Sequence, residues 1–248
     1  MEPIIHIHNA TKRYSKHTVF NRLNLAIGQG DCFALAGENG AGKSTLIKCI
    51  LDFIELDQGA IKINGQANQI PLSRSNIAYL PERFNPPYYL TGKSFLNYIA
   101  SLWQEEFDHK AITNTFEAIE LDSEVLTRSV RTLSKGTIQK LGLAACFISH
   151  KSLLILDEPM SGLDPKARVL VKTLIASLKE QNRCVFFSSH LLADVDEVAS
   201  RIAILHRGAL VYDGSPQDCR ARYQTKNLEL AYICCIEANP PLTKTSPR

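Results

Sequence analysis

The chain has 248 residues, of which 45% are apolar and 21% charged, ordinary values for a globular domain with a substantial core. A formal charge of +3 is too small to argue for a nucleic-acid partner, and none is expected. No apolar run approaches the ~18 residues of a membrane span, and the N-terminal MEPIIHIHNATKRY lacks a signal-peptide layout, so a soluble chain is expected. The seven cysteines are scattered singly apart from Cys234-Cys235, without zinc-site or disulfide-scaffold spacing, so reduced, cytosolic thiols are expected.

Ile5 and Ile7 alternate with His6 and His8, the pattern of a strand with one face buried; the two histidines have no third ligand nearby and are assigned to the solvated face. Tyr14 closes TKRY, and a second amphipathic strand, VFNRLNLAI, runs to Gly28-Gln29-Gly30. Next comes FALAGENGAGKST at 33–45, an apolar strand entering a glycine-rich turn that fits G-x-x-x-x-G-K-[ST] with Gly37, Gly42, Lys43 and Ser44 in the fixed positions. A triphosphate is held mainly by backbone N–H groups, and Gly37, Gly40 and Gly42 let the loop wrap closely around it. Lys43 supplies a positive charge for the β- and γ-phosphates and Ser44 a hydroxyl for Mg²⁺. A following helix, read as TLIKCIL from Thr45, aims its positive dipole end at the anion.

Beyond it, DQGAIKINGQ reads as a hairpin with turns at Gln58-Gly59 and Asn64-Gly65, and IAYL as a strand running into the proline-rich PERFNPPYY. From Thr91 to about His150 the pattern is helical throughout, with Thr91 and Asp108 as caps and an apolar helix from Lys135, so a helical lobe interrupts the α/β alternation. Alternation resumes with the almost wholly apolar SLLILDEP, a helix starting at Pro165, the strand CVFFSS, the short helix LLADVDEVA and the hairpin RIAILHRGALVYDG. Ser215-Pro216 caps a last short helix, AYICCI is an apolar strand or helix, and PPLTKTSPR forms a frayed tail.

SLLILDEP places Asp157 at the carboxyl end of a buried strand with Glu158 immediately after, where ligands sit in open α/β sheets. There Asp157 can hold Mg²⁺ and Glu158 can polarise a water, which fits hydrolysis. His190 follows CVFFSS at an equivalent edge, where it can donate to a γ-phosphate oxygen and orient water.

Over about residues 1–235 the chain resembles the nucleotide-binding subunit of ABC transporters. Besides the Walker A loop GENGAGKST and the Walker B strand LLILDEP, LSKGTIQKL at 133–141 is similar to the family's LSGGQ signature, SGLD at 161–164 to its D-loop, His190 to its switch histidine and Tyr14 to its adenine-stacking aromatic. The resemblance implies an α/β fold: a P-loop NTPase core of mostly parallel sheet with flanking helices, an N-terminal antiparallel β-subdomain, an inserted α-helical subdomain at about 84–150 and a tail at 236–248. It implies ATP and Mg²⁺ as ligands, with nucleotide contacts from Tyr14, Gly37, Glu38, Asn39, Gly40, Ala41, Gly42, Lys43, Ser44, Thr45, Glu82 and Asp157. Ser44, Glu82 and Asp157 are its Mg²⁺ residues, and Glu158 and His190 its catalytic pair. It further implies a head-to-tail dimer, with itself or with a second ATP-binding subunit, in which Ser134 and Gly136 of one copy face the nucleotide of the other and Asp164 carries communication between the two sites.

Four positions depart from the family pattern: Glu82 stands at the usual Gln of the Q-loop, Lys135 and Thr137 at a Gly and the Gln of the signature, and Glu38 at a frequent proline that faces away from phosphate. The LSKG and Glu82 variants look like those of bacterial ABC-2-type exporters, whose permease subunits are separate integral membrane proteins. The chain is accordingly expected at the cytoplasmic face of the cell membrane. Tyr88 and Tyr89 are candidates either for contact with a membrane subunit or for packing on their own lobe.

Overall fold

The computed structural model describes residues 2–15 and 17–239. Of the expected tail, residues 240–248 lie outside them. β1 (Ile5–Tyr14) and β2 (His17–Ile27) pair antiparallel; Ile5 and Ile7 are buried while His6 and His8 face solvent, as the alternation requires. β3 (Cys32–Ala36), buried at every position, leads through the glycine-rich loop into α1 (Lys43–Ile50), which begins two residues earlier than its sequence pattern suggests.

β4 (Gln58–Ile63) and β5 (Gln66–Ala67) follow, joined at Asn64-Gly65, where both residues have positive φ (50° and 77°) as an I′-type hairpin needs. Gln58-Gly59, expected as a turn, instead opens β4: it lies beside a register shift in β1 between His8 and Thr11, and the glycine sits against the backbone carbonyls of His8 and Asn9. The turn-like residue pair there serves a close backbone approach. β6 (Ile77–Leu80) ends this part.

The helical block holds α2 (Gly92–Trp103), α3 (His109–Ala118) and α4 (Lys135–Ile148), capped by the side chains of Thr91, Asp108 and Ser134. It is not α-helical throughout: two short 3₁₀ turns, Ser123–Leu126 and Val130–Thr132, fill the span between α3 and α4. Asp122, whose side chain accepts from the Glu124 N–H at 2.8 Å, gives the backbone a local alternative to the helix there.

Then come β7 (Leu153–Asp157), α5 (Pro165–Glu180), β8 (Cys184–Ser189), α6 (Leu192–Val198), β9 (Arg201–His206), β10 (Ala209–Gly214), α7 (Pro216–Tyr223) and α8 (Leu228–Ala238). AYICCI is thus helical and α7 is not the last helix. α8 passes through the boundary expected at residue 235, because Leu228, Ala231, Tyr232 and Cys235 form one buried helical stripe behind the Asn227 cap.

The strands make a four-stranded antiparallel sheet, ordered β2-β1-β4-β5, and a six-stranded sheet, ordered β10-β9-β3-β8-β7-β6, parallel except for the edge strand β10. Strand alternation divides the core in two. Phe33, Leu35, Leu153, Ile155 and Phe186 pack with α1 and the antiparallel sheet, whereas Ala34, Ala36, Leu154, Leu156, Val185 and Phe187 pack with the other helices. Covering both faces is what makes β3, β7 and β8 continuous apolar runs.

Candidate functional site

β3, β6, β7 and β8 run parallel, so their carboxyl ends emerge on one edge. The residues just past those ends are Gly37, Glu82, Glu158 and His190, and that edge carries a cleft of ≈ 620 Å³. Its walls bring together Tyr14, Glu38, Asn39, Gly40, Gly42, Lys43, Ser44, Thr45, Glu82, Glu158 and His190. Gly37 and Ala41 belong to the same loop, and Asp157, only 2% exposed, ends β7 just before Glu158.

The loop's shape depends on glycine. A Cβ on Gly37 would stand 2.5 Å from the Leu205 carbonyl oxygen of β9, and Gly42, the residue before α1, has φ 106°. Lys43 is buried and turned back over the loop, its Nζ donating to the Gly37 carbonyl at 2.7 Å and lying 3.4 Å from Glu158 Oε1. The other carboxylate oxygen, Oε2, is 2.8 Å from His190 Nδ1. Lys43, Glu158 and His190 therefore form one chain of groups across the cleft, with an acidic oxygen at its centre that no hydrogen bond satisfies. Beside it, the Ser188 hydroxyl accepts the Glu158 N–H at 2.9 Å and donates to Asp157 Oδ1 at 2.5 Å.

Tyr14 is 48% exposed at the end of β1, with Lys12 Nζ over its ring at 5.5 Å from the centroid. Glu38 lines the cleft and also bears on α8, where burial first and the Glu38 charge second push the Tyr232 phenol up. Ser134 and Gly136 are not part of this cleft. They start α4 beside residues 161–164, where a Cβ on Gly136 would come 3.3 Å from the Gly162 carbonyl oxygen. A second cleft of ≈ 570 Å³, lined by Glu82, Phe84, Lys135, Gln139 and Ser161 among others, runs beside the start of that helix. Sequence reading did not single out His17, Val19 or Ser161 as cleft residues, nor Ser188 and Gln139 beside it; Ser188 carried a signal, since a hydroxyl near the end of a buried strand must find partners.

The family model described as "ABC transporter" matches residues 20–161. The chain belongs to the ABC transporter family. An ABC transporter ATP-binding protein of Synechocystis is 40% identical over 196 residues, covering 78% of this chain and 55% of that one, so the chain spans little more than half of that relative's length. A lantibiotic transport ATP-binding protein of Streptococcus pyogenes is 31% identical, covering 86% of this chain and 93% of that one. A solved ATP-binding subunit of an ABC transporter superimposes with a TM-score of 0.84 at 27% identity, covering 94% of this chain and 99% of that one. The fold is therefore that of an ABC cassette, with the inserted helical lobe and antiparallel subdomain in place. Among the described residues, no helix of this cassette is long and apolar enough to cross a membrane.

Proposed function

We propose that the chain is the ATP-hydrolysing subunit of a transporter, powering movement of a substrate, by export, through separate membrane-spanning subunits. The observation that carries this is the Lys43–Glu158–His190 chain inside a cleft walled by the phosphate loop and Tyr14. Similarity to a lantibiotic transport ATP-binding protein supports the transport reading, and the export direction rests on the LSKG and Glu82 variants alone.

Adenine stacks on Tyr14 and the triphosphate lies along residues 37–45, where backbone N–H groups and the N-terminus of α1 meet its charge. Lys43 exchanges its loop carbonyls and Glu158 for phosphate oxygens. Glu158, released from the lysine and oriented by His190, takes a proton from the attacking water. The donor set suits a hard cation: a hydroxyl and two carboxylates at one edge, with no group of three or more His, Cys, Asp or Glu among the described residues that could hold a metal unaided. Ser44, Asp157 and Glu82 would hold Mg²⁺ together with the phosphates, and the ion supplies neutralisation of phosphate charge. Ser134 and Gly136 complete the site of a second cassette, identical or related, so the working unit is a dimer at the cytoplasmic face of the membrane. Tyr88 and Tyr89, 67% and 72% exposed on the lobe side, are available to a membrane subunit.

Two measurements test this. Glu158→Gln keeps ATP affinity and lowers phosphate release about 100-fold or more; a variant that hydrolyses normally removes Glu158 from the base role. Affinity purification from gently solubilised native membranes recovers a multi-span protein in near-equal amount, whereas recovery with ribosomes or DNA, or alone from the cytosol, overturns the transport assignment.

A further inference from the structure

Glu158 has φ 50°, a left-handed backbone that a residue with a Cβ adopts only when its surroundings hold it there. Three ties do so. The Glu158 N–H donates to Ser188 Oγ at 2.9 Å, the Ser161 N–H donates to the Glu158 carbonyl at 3.0 Å, and Gln139 Nε2 donates to the Pro159 carbonyl at 3.1 Å. Ser188 is fully buried and Gln139 is 6% exposed, so neither can trade these bonds for water. Ser188 also donates to Asp157 Oδ1 at 2.5 Å, which binds the strand end and the turn after it into one unit.

We propose that Ser188 and Gln139 are positioning residues for Glu158, fixing the strained turn that aims its carboxylate at His190 and the phosphate loop. This rests on Glu158 being the base. The two come from different directions: Ser188 from β8, directly opposite Asp157 in the sheet register, and Gln139 from α4, the helix capped by Ser134. Gln139 lies five residues beyond that cap, a rise of about 7 Å along the helix. One helix thus presents its first turn outward and grips its own chain's catalytic turn behind.

The test uses the full-length chain with MgATP, reading phosphate release at steady state and nucleotide affinity by calorimetry. Ser188→Ala lowers kcat about tenfold or more, with KM and ATP affinity within about twofold of the parent. Ser188→Thr, which keeps the hydroxyl, recovers most of the rate. Gln139→Met, similar in shape without the donor, lowers kcat in the same pattern by about threefold or more, and it alone decides the matter should Ser188→Ala not fold. Because both residues act through Glu158, adding either change to Glu158→Gln lowers the residual rate no further. A wild-type kcat in both variants, a parallel loss of ATP affinity, or a further fall in the Glu158→Gln background by the same factor as in the parent each overturns the proposal. If Glu158→Gln itself hydrolyses normally, the base assignment falls and the positioning role with it; if Glu158→Gln is inactive while both positioning variants are normal, only the positioning role falls.

Discussion

Lys43 and Glu158 are both buried, at 6% and 9% side-chain exposure, and each is the other's charge partner. Removing Lys43 leaves the buried Glu158 carboxylate with only His190 beside it, which costs more than the pair contributes when intact. Lys43→Met therefore lowers the unfolding free energy of the nucleotide-free protein by about 2–4 kcal/mol, and Glu158→Gln in the same chain restores most of it. Urea denaturation of both single variants and the double variant measures that coupling. Lys43→Met also weakens ATP binding by about 10- to 100-fold, because a charge-assisted contact is lost. The cysteines are legible at this scale too. Burial pushes the thiols of Cys32 and Cys146 up to about 12 and those of Cys49 and Cys219 up to about 11, whereas Cys234 is only half-buried. Brief alkylation of the folded protein at pH 8, mapped by mass spectrometry, labels Cys234 and spares those four.

At the scale of elements, α4 and α5 are tied at their ends by residues that carry charge. Arg183 closes the carboxyl end of α4: its guanidinium donates to the Lys151, Phe147 and Cys146 carbonyls at 2.9, 3.0 and 3.2 Å. Arg183→Met strips several buried acceptors and opposes no helix dipole, so stability falls by about 2 kcal/mol, read as a lower urea midpoint with unchanged slope. Asp164 begins α5, where the Ala167 N–H, 2.9 Å from Oδ1, holds its carboxyl below the ordinary 3.8. A depressed carboxylate contributes stability that is fully present above its unfolded value and is lost as pH falls through its folded one. Asp164→Ser, a cap that does not titrate there, consequently narrows its stability deficit relative to the parent as pH is lowered below about 4. An unchanged deficit between pH 7 and pH 3 would contradict the assignment.

In the whole molecule, the separation of Ser134 and Gly136 from their own chain's cleft has a direct consequence for catalysis. If one copy completes the site of another, two defective chains can make one sound site. A Lys43→Ala chain still offers its α4 start, and a Ser134→Arg chain still offers its phosphate loop. Mixed, they recover ATPase activity that neither has alone; a mixture as inactive as its components removes the dimeric reading.

Much of the site was present as linear motif, because phosphate-loop chemistry demands particular residue types at fixed local spacing. GENGAGKST, LLILDEP and the histidine after CVFFSS each sit at a strand end that apolar runs already mark. Boundaries governed by distant partners were not legible: Gly59 read as a turn until β1 lay against it, and AYICCI became a helix only because the rest of the fold offered a surface to the stripe from Leu228 to Cys235. By itself, then, the sequence determined the family and the α/β class, and it named the loop residues proposed to face phosphate. The tertiary structure alone decided that Lys43, Glu158 and His190 meet across one cleft, that Ser134 lies outside it, and that Ser188 and Gln139 bond to the turn carrying Glu158. Those relations join segments up to 147 residues apart, from Lys43 to His190, and no local pattern encodes a contact that only parallel strand register and helix packing bring together.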